Sequence, residues 1–317
     1  MSPVFKSIYI VLIGAALTIA AHWVAAKGLD RYNAHRHPHL RDIFISEEAF
    51  DVIYIGSSRT HTMINPRIID SITGLSTYNA GINGGRLFEF SMVFNGYLLH
   101  HPAPKMLVLT LDPWSFELNK EMMDYSQFFP FIGRNKFVAE NLSGIGKGTA
   151  LRYLPFLDFI YMDDNIKTNA LRGLAGRTEM KSWQFDYKGY LSTRPQCLDS
   201  ITVWPGDTLL NPKMEASEIA KLQAMIETCR KKNIEMIITY APEYRHRYQE
   251  KYLNFSKFIL FVDDLTKKNG IPFYRDDNLS LGQNPCLFVN NGHTNVQGAI
   301  EYSQILGHRI RDLLTAN

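Results

Sequence analysis

The chain has 317 residues, 45% hydrophobic and 21% charged, and a net charge of +3 from 34 basic and 31 acidic side chains. Such a composition excludes a disordered chain and a multi-pass membrane protein, and the lack of like-charged blocks argues against a nucleic-acid footprint. Cys197, Cys229 and Cys286 are too few for a disulfide scaffold and too scattered for a zinc ribbon.

The mean hydropathy of −0.16 conceals one unusual segment. From Ser7 to Ala26 there is no Asp, Glu, Lys or Arg, and His22 is the only side chain that titrates near neutral pH. Twenty residues at ~1.5 Å each reach roughly 30 Å, the thickness of a bilayer core. Residues 1–27 are therefore expected to form a transmembrane signal anchor, with a cleaved signal peptide ending near Val24-Ala25-Ala26 as the alternative. The flank after the span (Lys27, Arg31, Arg36, Arg41) is more basic than the one before it (Lys6), which by itself would keep the body cytoplasmic. Residues 28–49 are expected to be a solvated juxtamembrane linker. His35, His37 and His39 alternate there, but no fourth ligand or rigid frame suggests zinc.

Residues 50–317 alternate between strands and helices. Val52–Ile55 is a short apolar run ending at Gly56, as a strand buried on both faces requires. Asn65-Pro66 starts a helix and Gly74 stops it. Strands follow at 76–79, 106–111, 234–240 and 271–274, and a buried helix over 86–100. Ile219, Leu222, Ile226 and Cys229 form a helical stripe, which makes Cys229 a core thiol. Phe255, Phe258, Val262 and Leu265 form a second, closed by Gly270. Val296, Ala299, Leu306, Ile310 and Leu313 line the last helix. The pattern predicts a parallel sheet covered on both sides. Between about 113 and 212 it fails. Trp114, Phe128–Phe131, Tyr153–Phe156 and Trp183 mark a mainly helical insertion over the sheet edge.

Three loops could carry chemistry. Gly56-Ser57-Ser58-Arg59 follows the first strand, where a serine on a tight turn has an exposed hydroxyl beside free N–H groups. Asn79-Ala80-Gly81-Ile82-Asn83-Gly84 follows the second. Asn290-Asn291-Gly292-His293 precedes the C-terminal helix, and the order Ser…His suits a nucleophile and its base. Gly144–Gly148 fails the phosphate-loop pattern because Gly148 follows the lysine. The triplets at Asn141, Asn254 and Asn278 fit N-glycosylation but depend on the host.

Together these loops resemble the SGNH (GDSL-like) hydrolases over roughly residues 50–317. Ser58 sits at the nucleophile position of the Gly-Asp-Ser-like block. Gly81 resembles the glycine that donates an oxyanion-hole N–H, with Asn83 beside it and the Ser58 N–H as a further donor. Leu109–Pro113 takes the place of the third block, and Asn290-x-x-His293 that of the last. The resemblance implies a three-layer α/β/α sandwich with a five-stranded parallel sheet, and needs no cofactor or metal. It implies a membrane-anchored esterase or O-acyltransferase acting on an acylated glycan of the cell envelope, extracytoplasmic and in some relatives beside a multi-pass O-acyltransferase. An inactive protein binding a glycan or such a partner is the alternative.

Two positions depart from the family pattern. Asp112 stands nearest the third-block asparagine, and a carboxylate would repel an oxyanion. Arg59 is expected to neutralise it or to meet an anionic substrate. Asn290 stands where the triad acid belongs. That leaves a Ser58–His293 dyad, a carboxylate supplied by Asp276 or Asp277, or a weak site. Cys197 and Cys286 are able to pair only in an oxidising compartment.

Overall fold

The computed structural model describes residues 2–118, 127–144, 164–177, 184–193, 197 and 209–315. The helices are α1 (Pro3–Arg36), α2 (Pro38–Phe44), α3 (Ser58–Met63), α4 (Pro66–Thr73), α5 (Leu87–His100) and α6 (Lys136–Gly144). After them come α7 (Asp164–Leu174), α8 (Ala216–Lys231), α9 (Arg247–Lys251), α10 (Phe255–Asn269) and α11 (Val296–Thr315). The strands are β1 (Val52–Ile55), β2 (Thr77–Asn79), β3 (Met106–Thr110), β4 (Gln184–Phe185) and β5 (Leu191–Ser192). β6 (Glu235–Tyr240), β7 (Phe273–Arg275), β8 (Phe288–Asn290) and β9 (His293–Thr294) complete the set. The chain divides into two compact units, Met1–Ser46 with Lys120–Met180, and Glu47–Asn119 with Lys181–Asn317.

The second unit is the α/β body. Its sheet has the order β2-β1-β3-β6-β7 and every pair is parallel. Successive side chains of a strand face opposite ways. Val52, Tyr54, Met106, Val108 and Ile237 thus join Met63, Ile69, Tyr302, Leu306 and Ile310 in one core, beneath α3, α4 and α11. Ile53, Ile55, Leu107 and Leu109, of opposite parity and equally buried, serve the other face, where α5 packs on β1 and on α8. Burial on both faces explains why these strands are uniformly apolar. The expected punctuation is present. Asn65 Oδ1 accepts from Arg67 N at 3.0 Å, and Gly74 and Gly270 end their helices at φ +70° and +66°. Cys229 lies in the core, where burial pushes its thiol up to about 12.

Strand order reverses direction between β1 and β3, the place where open parallel sheets leave a crevice at the strands' C-terminal ends. Gly56 follows the end of β1 directly, and Asp112 lies two residues beyond the end of β3. A Cβ on Gly56 would lie 2.1 Å from Thr60 Oγ1 and 2.9 Å from Thr110 Cβ, so the turn after β1 passes too close to β3 for any side chain.

In the other unit, α1 is long and apolar enough to cross a membrane, and the side chains from Val4 to Val24 are largely exposed. Where residues 28–36 were expected as solvated linker, α1 continues. Gly28, Leu29 and Tyr32 bury there against α7, in a crossing so close that a Cβ on Gly28 would strike the Ala170 carbonyl at 2.2 Å. The three alternating histidines lie in and between two helices and not in a solvated linker. His35 lies in the last turn of α1, His37 is its cap and His39 is buried in α2. Much of the expected insertion, including Tyr153–Phe156 and Trp183, lies outside the described residues. Its described parts include α6, α7 and the β4–β5 hairpin.

Candidate active site

Ser58 is the first residue of α3. Its neighbour Ser57 is the N-cap, extended in backbone, with Oγ accepting from Arg59 N at 3.3 Å. A residue at this position has an N–H that no intrahelical bond consumes. Ser58 is half-buried and Ser57 fully buried, so one hydroxyl faces the crevice and the other faces the interior.

His293 comes from the β8–β9 hairpin and meets Ser58 across the crevice, with Nε2 at 2.8 Å from Ser58 Oγ. Asn290 builds the hairpin. Its Oδ1 accepts from Gly292 N at 3.0 Å, His293 N at 2.9 Å and His293 Nδ1 at 3.0 Å. Two backbone N–H groups fix which end of the carboxamide is oxygen, so Nδ1 must carry the proton that Asn290 receives. Nε2 is then an acceptor for the Ser58 hydroxyl, the tautomer a general base needs. Burial holds the imidazole down at about 4, with a smaller contribution from the Arg59 cation. It is neutral near pH 7.

The carboxylates proposed as substitutes for a triad acid are engaged elsewhere. Asp276 accepts from Tyr302 Oη at 2.8 Å and pairs with Arg309, while Asp277 binds Arg275 and Gln249. Neither supplies a charge to His293; Asn290 is its partner. Asp112 accepts from Ser57 Oγ at 2.7 Å and from Arg59 at 2.5 Å, fully buried on both sides. Arg59 is thus an internal partner of Asp112, buried and out of reach of an anionic substrate.

Gly81 differs from its expected role. Its N–H donates to Asn79 Oδ1 at 3.0 Å, and a Cβ there would lie 2.6 Å from His61 N. This glycine serves close packing of the second loop against α3. Asn83 is exposed, and its Oδ1 lies 3.1 Å from His61 Nδ1. Sequence reasoning passed over His61 and the structural use of Asn79, whose Nδ2 ties the carbonyls of Thr60 and Ile64 to the second loop. The glycine-rich spacing pointed to that loop but not to which partner each atom takes.

Cys197 and Cys286 form a disulfide. Cys286 lies in the turn before β8, whose carbonyls Asn295 engages through Nδ2 to Cys286 O and N–H to Leu287 O. Thr193 Oγ1 donates to Thr294 O at 3.2 Å. The disulfide therefore fastens Cys197 to the turn that leads into the hairpin carrying His293. Among the described residues no group of three His, Cys, Asp or Glu side chains is gathered to hold a metal.

Fold and site together define a parallel α/β protein with a Ser-His-Asn constellation at the strand switch point. No protein-family model matches the chain, and no curated protein matches it. Among solved structures it is similar to a GDSL-like lipase from Bacteroides thetaiotaomicron, at 12% identity and TM-score 0.40, covering 83% of this chain and 88% of that one. It is also similar to an acetyl xylan esterase, at 12% identity and TM-score 0.39, covering 83% and 98%. At such identities and scores neither says what this chain acts on.

Proposed function

We propose that the protein is a membrane-anchored serine esterase or O-acyltransferase of the SGNH type. The observation that carries this reading is the 2.8 Å contact between Ser58 Oγ and a His293 Nε2 left unprotonated by Asn290. Ser58 Oγ attacks the acyl carbonyl as its proton passes to Nε2, and the imidazolium returns that proton to the departing alkoxide. Water, or the hydroxyl of an acceptor, then repeats the exchange on the acyl-serine. The Ser58 N–H and the amide of the exposed Asn83 are the donors assigned to the oxyanion. With Gly81 engaged by Asn79, the oxyanion depends on fewer donors than the family pattern implies.

The site and its tether support one class of substrate. A serine esterase tethered by the apolar α1 works within reach of a membrane, which suits an acylated envelope glycan and, as partner, a multi-pass O-acyltransferase. The disulfide supports an extracytoplasmic body, because such bonds persist in oxidising compartments. That outweighs the basic flank after the span.

A fluorophosphonate probe on the detergent-solubilised chain tests the reading, with Ser58→Ala as control and p-nitrophenyl acetate as reporter ester. Ser58-dependent labelling and turnover are expected. The neutral Asn290 favours a second reading, a protein that binds a glycan or membrane partner without turnover, and absence of labelling would select it.

A further inference from the structure

We propose that Asp112 is a positioning residue for the nucleophile: its carboxylate holds both residues that flank Ser58 and so fixes the serine hydroxyl against His293. This rests on the esterase reading above. One carboxylate oxygen takes the Ser57 hydroxyl at 2.7 Å and the other takes the Arg59 guanidinium at 2.5 Å. The residues before and after Ser58 are thereby pinned to two points of one rigid group, and the backbone between them cannot rotate without breaking a buried bond.

The clamp is itself anchored on three strands. Asp112 follows β3, and its N–H donates to Ser115 Oγ at 2.9 Å. Arg59 extends its second nitrogen to the carbonyls of Ala241 and Pro242, at 2.6 and 2.9 Å beyond β6, and its guanidinium lies 4.8 Å from the Tyr240 ring centre. The ends of β1, β3 and β6 meet in this one ion pair directly behind the nucleophile turn. A buried ion pair is a poor source of net stability, since apolar side chains of similar volume often do as well. What apolar packing cannot supply is direction, and here both charges are aimed at the turn. Where the family pattern places a donor to the oxyanion, this chain has an acceptor that faces inward.

The test compares variants of the full chain in detergent, reading kcat and KM on p-nitrophenyl acetate and the rate of fluorophosphonate labelling. Ser57→Ala is expected to lower kcat and labelling by about tenfold, and Asp112→Asn by about a hundredfold, as small misplacements of a reacting group do. KM should stay within about twofold, because the turn's contacts with bound ester are not removed. Ser57→Thr, which keeps the hydroxyl, should recover most of the loss. Should Asp112→Asn fail to fold, Ser57→Ala carries the test. Wild-type kcat in Ser57→Ala overturns the proposal, as does a loss of activity matched by an equal loss of folded protein. No labelling of the unaltered chain would be a different result, removing the esterase reading itself.

Discussion

His293 Nδ1 donates to Asn290 Oδ1 at 3.0 Å, so the base is oriented by a neutral amide and not by a carboxylate. This amide sets the tautomer because two backbone N–H groups fix its oxygen, but it stabilises the imidazolium less than a carboxylate does. In a serine triad the same exchange costs about 10⁴ in rate, a loss assigned there to the wrong tautomer. Asn290→Asp is expected to raise kcat by at least about tenfold. Ester turnover with Ser58→Ala as background measures it, and an unchanged or lower rate would show that a neutral partner suits this site.

Removing the amide has a separate consequence. Asn290→Ala leaves the N–H groups of Gly292 and His293 without their acceptor, at about 1–3 kcal/mol for each group left unsatisfied. Both stability in urea and activity should fall, the latter because the ring loses its orientation. Wild-type stability in this variant would mean that the hairpin does not depend on the Asn290 turn.

The pH dependence follows from the sign of the histidine shift. His293 is held at about 4, below an ordinary histidine, so the unfolded chain binds a proton that the folded site refuses. Stability from this group is present above the ordinary histidine range and is lost as pH falls towards 4. Turnover should keep its base form through pH 5 and decline as pH approaches 4. In Asn290→Asp the acid limb should move upward. A pH–rate profile of kcat/KM reports both, and a wild-type limb near 6.5 would contradict the burial of the ring.

The Cys197–Cys286 bond links residues 89 apart in sequence beside the histidine hairpin. Its reduction should cost about 2–5 kcal/mol and lower activity by loosening that hairpin. Alkylation of the denatured chain should tag only Cys229 before reduction and all three cysteines after it. Three reactive thiols without reductant would place the body in a reducing compartment.

The apolar face of α1 predicts that the protein stays in the membrane pellet after carbonate extraction. A topology reporter fused after Asn317 should give an extracytoplasmic signal. A cytoplasmic one would remove the envelope glycan as substrate.

Local pattern made much of this molecule legible. The uniformly apolar strands, the Asn65 and Gly74 boundaries and the long exposed helix follow from periodicity and capping, which act within a few residues. Ser58 and His293 were also recognisable, since each stands in a loop whose neighbours mark it. The extension of α1 through residues 28–36 was not, because its helical state is stabilised by a close crossing with α7, more than a hundred residues away.

Partner choice was decided only in three dimensions. Sequence placed Asp112, Arg59 and Gly81 near the site, yet could not say that Asp112 would take both neighbours of Ser58 or that Asn79 would use the Gly81 N–H. Nor could it decide between Asn290 and the two aspartates as the histidine's partner. Strand and helix periods are written by near neighbours, whereas a hydrogen bond between residues 55 or 235 positions apart is decided by how the strand ends converge. The order of residues along the chain determined a near-neutral protein of alternating strands and helices behind one apolar helix. Sheet order at the β1–β3 switch decided which of its polar side chains became a site.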